Sequence, residues 1–416
     1  MFMLEKAVTG SKRYWTWVFA LLLVILVAFY YYMRQLEYGL GLTGMGRNIS
    51  WGLYIGQFTF MVGVAASAVM VVLPYYLHDH KEFHRMTILG ELLAVASVTV
   101  CMLFIFVDMG QPMRIMNVIV NARPRSMMFW DMVSLSGYLL LNITVTLATL
   151  HAEQKGLHTD RWVHFVVLVS IPWAISIHTV TAFLYSGLPG RPFWLTAILA
   201  PRFLASAFAS GPALLILLCM LLYRLTGYNV GRKAIDALAV IVTYAMVLNV
   251  FFLSLEIFTA FYSQIPDLMT HFDNLYLGQG PHTTLLPWGR ASLVLMVVSL
   301  AMLLTPRLRR GHGTLAAACA VTFAALWMDK GICLVVCGFI PSPLGVTSRY
   351  VPTFPEVMIT LGVFAVGALM ITVFYKIALS VEAGAAQHFT YAEEVGSHEE
   401  SSVYMPATAH APDVIQ

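Results

Sequence analysis

The sequence has 416 residues, of which 59% are apolar and 11% charged, against roughly 25% charged in an ordinary soluble domain, so most of the chain has to lie in lipid. A net charge of +3, spread thinly along the chain, supplies no run of Lys or Arg that would neutralise a line of phosphates, which argues against nucleic acid as a partner. Five cysteines, Cys101, Cys219, Cys319, Cys333 and Cys337, all fall in apolar segments and read as small buried hydrophobes rather than disulfides.

A bilayer core takes roughly 20 apolar residues per helix. On that measure an all-α integral membrane protein of ten spans is predicted, near 13–33, 52–77, 88–109, 127–150, 162–184, 203–224, 235–262, 285–304, 314–340 and 354–380. The first run follows Lys6, Lys12 and Arg13 but lacks a small-residue cleavage site, so it reads as a retained span rather than a signal peptide. Ten spans put both termini on one face. Cations such as Lys81, Arg85, Arg307, Arg309 and Arg310 gather there and outnumber the arginines opposite, among them Arg114, Arg191 and Arg202, which predicts cytoplasmic termini. Residues 1–12 are then a cytoplasmic N-terminus, 13–380 the transmembrane domain, and 381–416, rich in Glu, Ser, Ala and His, a flexible cytoplasmic tail. The outer connections at 34–51, 110–126, 185–202, 263–284 and 341–353 are longer and richer in Gly, Pro and Trp than the inner ones, so function is expected on that face. Within span two, Gly52, Gly56, Gly63 and Ser67 would let a neighbouring helix approach closely.

An ionisable side chain at membrane depth is retained because it is paired or because it acts. In span four Asp131, Ser134, Tyr138 and Asn142 are spaced by three, four and four residues and share one helical face. Interhelical hydrogen bonding accounts equally well for Ser134 and Asn142, whereas a carboxylate is an expensive glue. Gln57, Asp108, Asp131 and His178 all fall within about two helical turns of the outer surface. Imidazole beside carboxylates suits the head group of a membrane quinone, which needs hydrogen bonds to its two oxygens and a residue that passes protons. Trp51, Tyr54, Phe58 and Trp130 lie at the depth where such a ring and its isoprenoid tail would sit, although helix anchoring at the boundary explains any one of them as well.

Span seven carries Asn249, Glu256, Thr259 and Ser263 on one face, a second polar pocket or an isolated Glu256 paired with an outer Arg. Asp329 and Lys330 lie near the middle of span nine. Neighbours in sequence point about 100° apart on a helix, so each is expected to find a partner on another span. Their depth keeps a proton- or ion-translocating transporter as a rival function, and a purely structural anchor for redox partners is the blander alternative. Glu91, near the inner start of span three, either feeds protons from that side or snorkels to the surface.

Bis-histidine haem sites are not supported, because His164 and His178, both on span five, are the only histidines inside the predicted spans. Cys333 and Cys337 share a face without further cysteines to complete an iron–sulfur or zinc site. No haem, iron–sulfur cluster or metal is therefore expected on this chain, and electrons must pass to or from another subunit.

Several short segments resemble, in order, the NrfD/PsrC-like family of quinone-interacting membrane subunits. They are Gly41-Leu42-Thr43-Gly44-Met45-Gly46 followed by Trp51-Gly52-Leu53-Tyr54-Ile55, then Asp108-Met109-Gly110-Gln111-Pro112-Met113-Arg114, Phe129-Trp130-Asp131 and Ile177-His178-Thr179-Val180. Ser210-Gly211 and Glu256 with Tyr262 also fit. The resemblance implies two four-helix bundles with flanking helices, a menaquinone pocket on the outer side of the first bundle, and an extracytoplasmic ferredoxin-like iron–sulfur partner above it. It further implies other redox subunits of one complex, among them a multihaem cytochrome c and a second membrane subunit, in the cytoplasmic membrane of a prokaryote. Within the family the likeness leans toward members associated with sulfite reduction, which implies sulfur-compound metabolism. Carried onto matching positions, Asp108, Arg114, Asp131 and His178 become quinone-site candidates, His178 and Asp131 to handle protons and hydrogen-bond the head group, Asp108 and Arg114 to shape the pocket rim; depth and helix face add Trp51, Tyr54, Gln57, Trp130 and Tyr138 as residues that would bind the ring and tail. Where the family pattern has its first arginine after Asp-Leu-Gly, this chain has Gln111, and no role is assigned to it.

Overall fold

The computed structural model describes residues 9–65, 67–78, 80–155, 160–278 and 284–403, the stretch 383–403 by its backbone alone. Among the described residues ten helices are long and apolar enough to cross a membrane and there is no strand. They are α1 (Lys12–Tyr38), α2 (Leu53–Ala65 and Ser67–His78), α3 (His84–Asp108), α4 (Met127–Gln154), α5 (Arg161–Ser186), α6 (Leu199–Thr226), α7 (Arg232–Tyr262), α8 (Leu286–Leu304), α9 (His312–Cys337) and α10 (Phe354–Val403). Every predicted span has its helix. The flexible tail expected from residue 381 falls partly on the continuation of α10 as far as Val403. Its remainder, and residues 1–8 of the expected N-terminus, lie outside the described residues.

Helices α2, α3, α4 and α5 pack in turn on one another to make a first bundle, and α6, α7, α8 and α9 make a second. The first helix lies along α10, and α10 rests against α3 and α4. Two four-helix bundles with a flanking pair is thus the architecture. The seam between bundles is α2 against α6 and α9, with α5 against α6. It is close because the residues there are small: a Cβ on Gly211 would stand 3.1 Å from Ser67 and from the Val64 carbonyl, and one on Gly56 would collide with the Gly331 carbonyl. The small-residue face of α2 therefore has the role expected of it.

Two local departures shape the face where the long connections lie, called here the loop face; the other is the terminal face. In α9 the α-helical register gives way to a π turn over Asp329–Leu334, a distortion that frees backbone carbonyls and often marks a working site. The Gly331 carbonyl accepts from Gln57 Nε2 at 3.2 Å, and Trp194 Nε1 donates to the Leu334 carbonyl at 2.9 Å. Because α9 ends at Cys337, Asp329 and Lys330 sit in its loop-face third rather than at its middle. The second departure is α6, which begins at Leu199 and so takes Arg202 into the helix. A solvated outer loop is where the sequence alone puts Arg202; it is instead 3% exposed, because two carboxylates meet it there.

Candidate functional site

On α5 the residues His178, Thr181 and Tyr185 are spaced by three and four and so share one face. That face points into the first bundle, where all three are buried. Thr181 Oγ1 donates to Asp131 Oδ1 of α4 at 2.8 Å, and Asp131 is 4% exposed. One turn away, His178 is 1% exposed, and its Nε2 has no hydrogen-bond partner. The Lys330 ammonium of α9 is within electrostatic reach of the imidazole. Thr181 thus ties the face of α5 that carries His178 to Asp131 on α4.

Tyr185 is the hub of the layer above. Its hydroxyl is hydrogen-bonded to Thr59 Oγ1 of α2, and the phenol lies within electrostatic reach of both Asp131 and Asp108. Its ring packs edge-on against Trp51 and Trp194, at 5.4 and 5.0 Å between centroids, and those two indoles stack at 5.8 Å. Phe339 closes the group, edge-on to both indoles. Asp108 ends α3 with its Oδ1 buried and unpartnered.

The other predicted residues divide into three. On α2, Tyr54 donates to Gln35 Oε1 at 2.8 Å, and Gln57 Oε1 accepts from Trp327 Nε1 at 2.6 Å; both are buried beside the site but already committed. Tyr138 lies two turns deeper than Asp131 and donates to the Ala65 carbonyl at 3.3 Å, while Phe58 is buried in the core. At the rim, Trp130 is 45% exposed and donates to the Pro124 carbonyl at 2.7 Å, and Arg114 is exposed on the turn Pro112–Arg114.

A second cluster adjoins the first across the seam. Arg202 of α6 pairs with Glu256 of α7 at 2.5 Å and with Asp329 of α9 at 2.8 Å. Lys330 Nζ donates to the Phe203 carbonyl at 3.0 Å and stands 4.1 Å from the centre of the Phe203 ring. Each span-nine charge has its partner on another span, as expected, and Glu256 meets an arginine. Sequence reasoning missed Tyr185 and Thr181, although their spacing from His178 was the available signal. It also missed Glu356, fully buried at the start of α10. That carboxylate accepts from Gly44 N at 2.9 Å, from Leu53 N at 3.2 Å and from the Tyr350 hydroxyl, and so anchors the glycine-rich approach to α2.

The model of the polysulphide reductase NrfD family matches residues 41–341, which takes in both clusters. The chain belongs to the polysulphide reductase NrfD family. Among its relatives is a protein of Halobacterium salinarum provisionally named as a dimethyl sulfoxide reductase membrane subunit, 28% identical over 86% of this chain and 89% of its own length. The Hdr-like menaquinol oxidoreductase integral membrane subunit of Archaeoglobus fulgidus is 24% identical over 61% of this chain and 62% of its own. The menaquinone reductase integral membrane subunit of Nitratidesulfovibrio vulgaris is 22% identical over 82% and 86%. The segments that carried the family resemblance up to Tyr262 lie inside the matched region, and this NrfD-family chain is a multi-pass membrane protein.

Proposed function

We propose that this NrfD-family chain is the membrane subunit of a respiratory redox complex and exchanges electrons and protons with menaquinone beside His178 and Asp131. The observation that carries the reading is the imidazole Nε2 of His178, buried and without a partner, one turn from a carboxylate held by Thr181. A buried polar atom left unpaired is costly, and the oxygen of a bound head group would satisfy it. Two relatives named for menaquinol or menaquinone support the choice of quinone. A menaquinone would supply the site with a carrier of two electrons and two protons.

The residues divide the work by position. His178 Nε2 hydrogen-bonds a ring oxygen, and its imidazole passes a proton between that oxygen and the neighbouring carboxyl. Asp131 takes or gives that proton while Thr181 fixes the rotamer of its carboxylate. Asp108 and Arg114 shape the rim. The indole pair of Trp51 and Trp194 supplies flat apolar surface, and an open groove of about 240 Å³ on the α5–α6 seam, lined by Phe183, Ser186, Leu195 and Ala200, gives an isoprenoid tail a way in. The loop face is then extracytoplasmic and the termini cytoplasmic, and a ferredoxin-like iron–sulfur protein docks over the Trp51 layer. Relatives named for different reductases support a shared quinone module whose terminal chemistry belongs to its partners; sulfite or sulfate metabolism is the narrower reading supported by the sequence resemblance.

The transporter reading is the weaker one, because Glu256 and Asp329 are both already bound to Arg202. The deciding experiment is purification of the complex through a tag on this chain, extraction of bound quinone, and quinol oxidation by the His178→Ala variant. Menaquinone should co-purify, and the variant should keep its partners and lose turnover. Undiminished turnover in an intact variant complex would sink the proposal.

A further inference from the structure

Glu91 of α3 is 2% exposed, and both of its carboxylate oxygens are buried without a hydrogen-bond partner. The Thr146 hydroxyl of α4 faces it without completing a bond of normal geometry. The ionisable groups within electrostatic reach are Tyr76 of α2 and Tyr138 and Glu153 of α4; none of them is a cation. A carboxyl at membrane depth that neither binds a neighbouring helix nor meets a counter-ion is poor glue, and carboxyls so placed commonly relay protons.

The surroundings continue in both directions. Toward the terminal face, the Glu153 side chain is 20% exposed and lies 3.6 Å from Nε2 of His84, itself 52% exposed. His84 Nδ1 in turn is 3.0 Å from the Tyr75 hydroxyl. A carboxyl and an imidazole, the two side-chain types best suited to pick up protons from water, thus stand at an accessible mouth. Toward the loop face, Thr149, Thr146, Asn142, Tyr138 and Ser134 follow on the same side of α4 and end at Asp131, all of them buried. The 22 residues from Asp131 to Glu153 rise about 33 Å at 1.5 Å each, which matches a hydrocarbon core of about 30 Å. Interhelical bonding accounts for Tyr138, whose hydroxyl reaches the Ala65 carbonyl. It does not account for Glu91, Thr146 and Thr149: the Thr146 hydroxyl stands against Glu91 and the Thr149 hydroxyl against Tyr76, neither in a hydrogen bond of normal geometry.

We propose that Glu91 is the proton-loading carboxyl of a column along α4 that joins the terminal-face surface to the Asp131–His178 site. The inference rests on the quinone reading of that site. A proton passes through a Glu91 carboxylate oxygen between the hydroxyl face of α4 and the Glu153–His84 mouth, outward from the site when a quinol is oxidised there and inward when a quinone is reduced, so the carboxylate returns to its starting state and no bond other than O–H is made or broken along the column.

The test uses the complex isolated through this chain and reconstituted into liposomes that trap an impermeant pH dye, with a short-chain menaquinol as donor and ferricyanide as acceptor. Wild type should move protons at the terminal face with each turnover. Glu91→Gln should slow that movement about tenfold or more while quinol oxidation in detergent stays within about twofold of wild type, and Glu91→Asp should restore part of it. Should Glu91→Gln fail to fold, the Thr146→Val/Thr149→Val pair is expected to slow the same movement. Unchanged proton movement in a folded variant overturns the column, as does wild-type quinol oxidation with no proton movement at the terminal face; both outcomes leave the quinone reading standing. Absence of quinol oxidation in wild type instead removes that reading. In that case infrared difference spectra across a pH jump decide on the carboxyl alone: a protonated-carboxyl band sensitive to deuterium and missing from Glu91→Gln supports a loading site, and its absence overturns it.

Discussion

Arg202 Nη2 of α6 sits between the two carboxylate oxygens of Asp329 in α9, 2.9 and 2.8 Å away, while its Nη1 holds Glu256 of α7. One guanidinium therefore ties three helices of the second bundle at the seam with the first. A buried charge pair adds little over a well-packed apolar one, but removal of one member strands the other. Arg202→Leu strands two carboxylates and is expected to destabilise by about 3–5 kcal/mol. Asp329→Asn leaves the guanidinium with Glu256 and should cost markedly less. Thermal midpoints of the detergent-solubilised protein measure both. Equal losses for the two variants would mean that the cluster does not share its charge as the geometry says.

Thr181 Oγ1 lies 2.8 Å from both Asp131 Oδ1 and the Ile177 carbonyl one turn back, so its single proton is shared between the two acceptors. Thr181→Val keeps the shape and removes the donor, leaving Asp131 free to change rotamer. A hydrogen bond to a charged group is worth roughly 1.5–3 kcal/mol, so quinol turnover should fall by about tenfold to a hundredfold. Loss should appear in kcat with little change in the thermal midpoint, since the valine fills the same space. A KM effect alone would assign Thr181 to packing of the tail instead.

The spans and the depth of the polar residues were legible because both depend on local composition: a run of apolar residues has one use in lipid, and helical spacing fixes which side chains share a face. Partner choice was not legible. Asp131, His178 and Glu256 could be placed by depth, yet that Glu256 meets Arg202, and that Arg202 belongs to a helix at all, depends on how α6 and α7 dock. Likewise the π turn at Asp329–Leu334 has no marker in the apolar pattern, nor does the end of α9 at Cys337, which leaves its two charged residues in the loop-face third. Tyr185 lay on the visible His178 face, but a tyrosine near a span end reads first as an anchor.

Glu356 gathers the start of α2 and its approach loop onto α10. It accepts from Gly44 N and Leu53 N as well as from the Tyr350 hydroxyl, an arrangement that a carboxylate satisfies and an amide cannot, because the amide nitrogen would face donors. Glu356→Gln should cost about 2 kcal/mol and loosen residues 39–53. Limited proteolysis in detergent is the readout: cleavage within this loop should appear in the variant before global unfolding. Protection equal to wild type would show that apolar packing alone holds the loop.

His271, on the loop-face helix Pro266–Phe272, is 1% exposed. Its Nδ1 donates to the Cys337 carbonyl at 2.9 Å, which fixes the neutral tautomer, and its ring lies 5.0 Å from that of Phe193. Burial, aided by Arg191, pulls its pKa down from 6.5 to about 4, while the Cys337 and Ile340 carbonyls and Asp267 pull the other way. Because the folded value lies below the unfolded one, the unfolded chain binds more protons across the interval between them. Stability is thus full above about pH 6.5, falls as pH drops toward about 4 and levels off below, with a total loss on the order of 3 kcal/mol. His271→Gln keeps a donor for the Cys337 carbonyl and removes the titration. Its thermal midpoint should therefore decline less than that of wild type between about pH 6.5 and pH 4, and parallel declines would place the acid sensitivity elsewhere, in carboxylates that lose their partners when protonated.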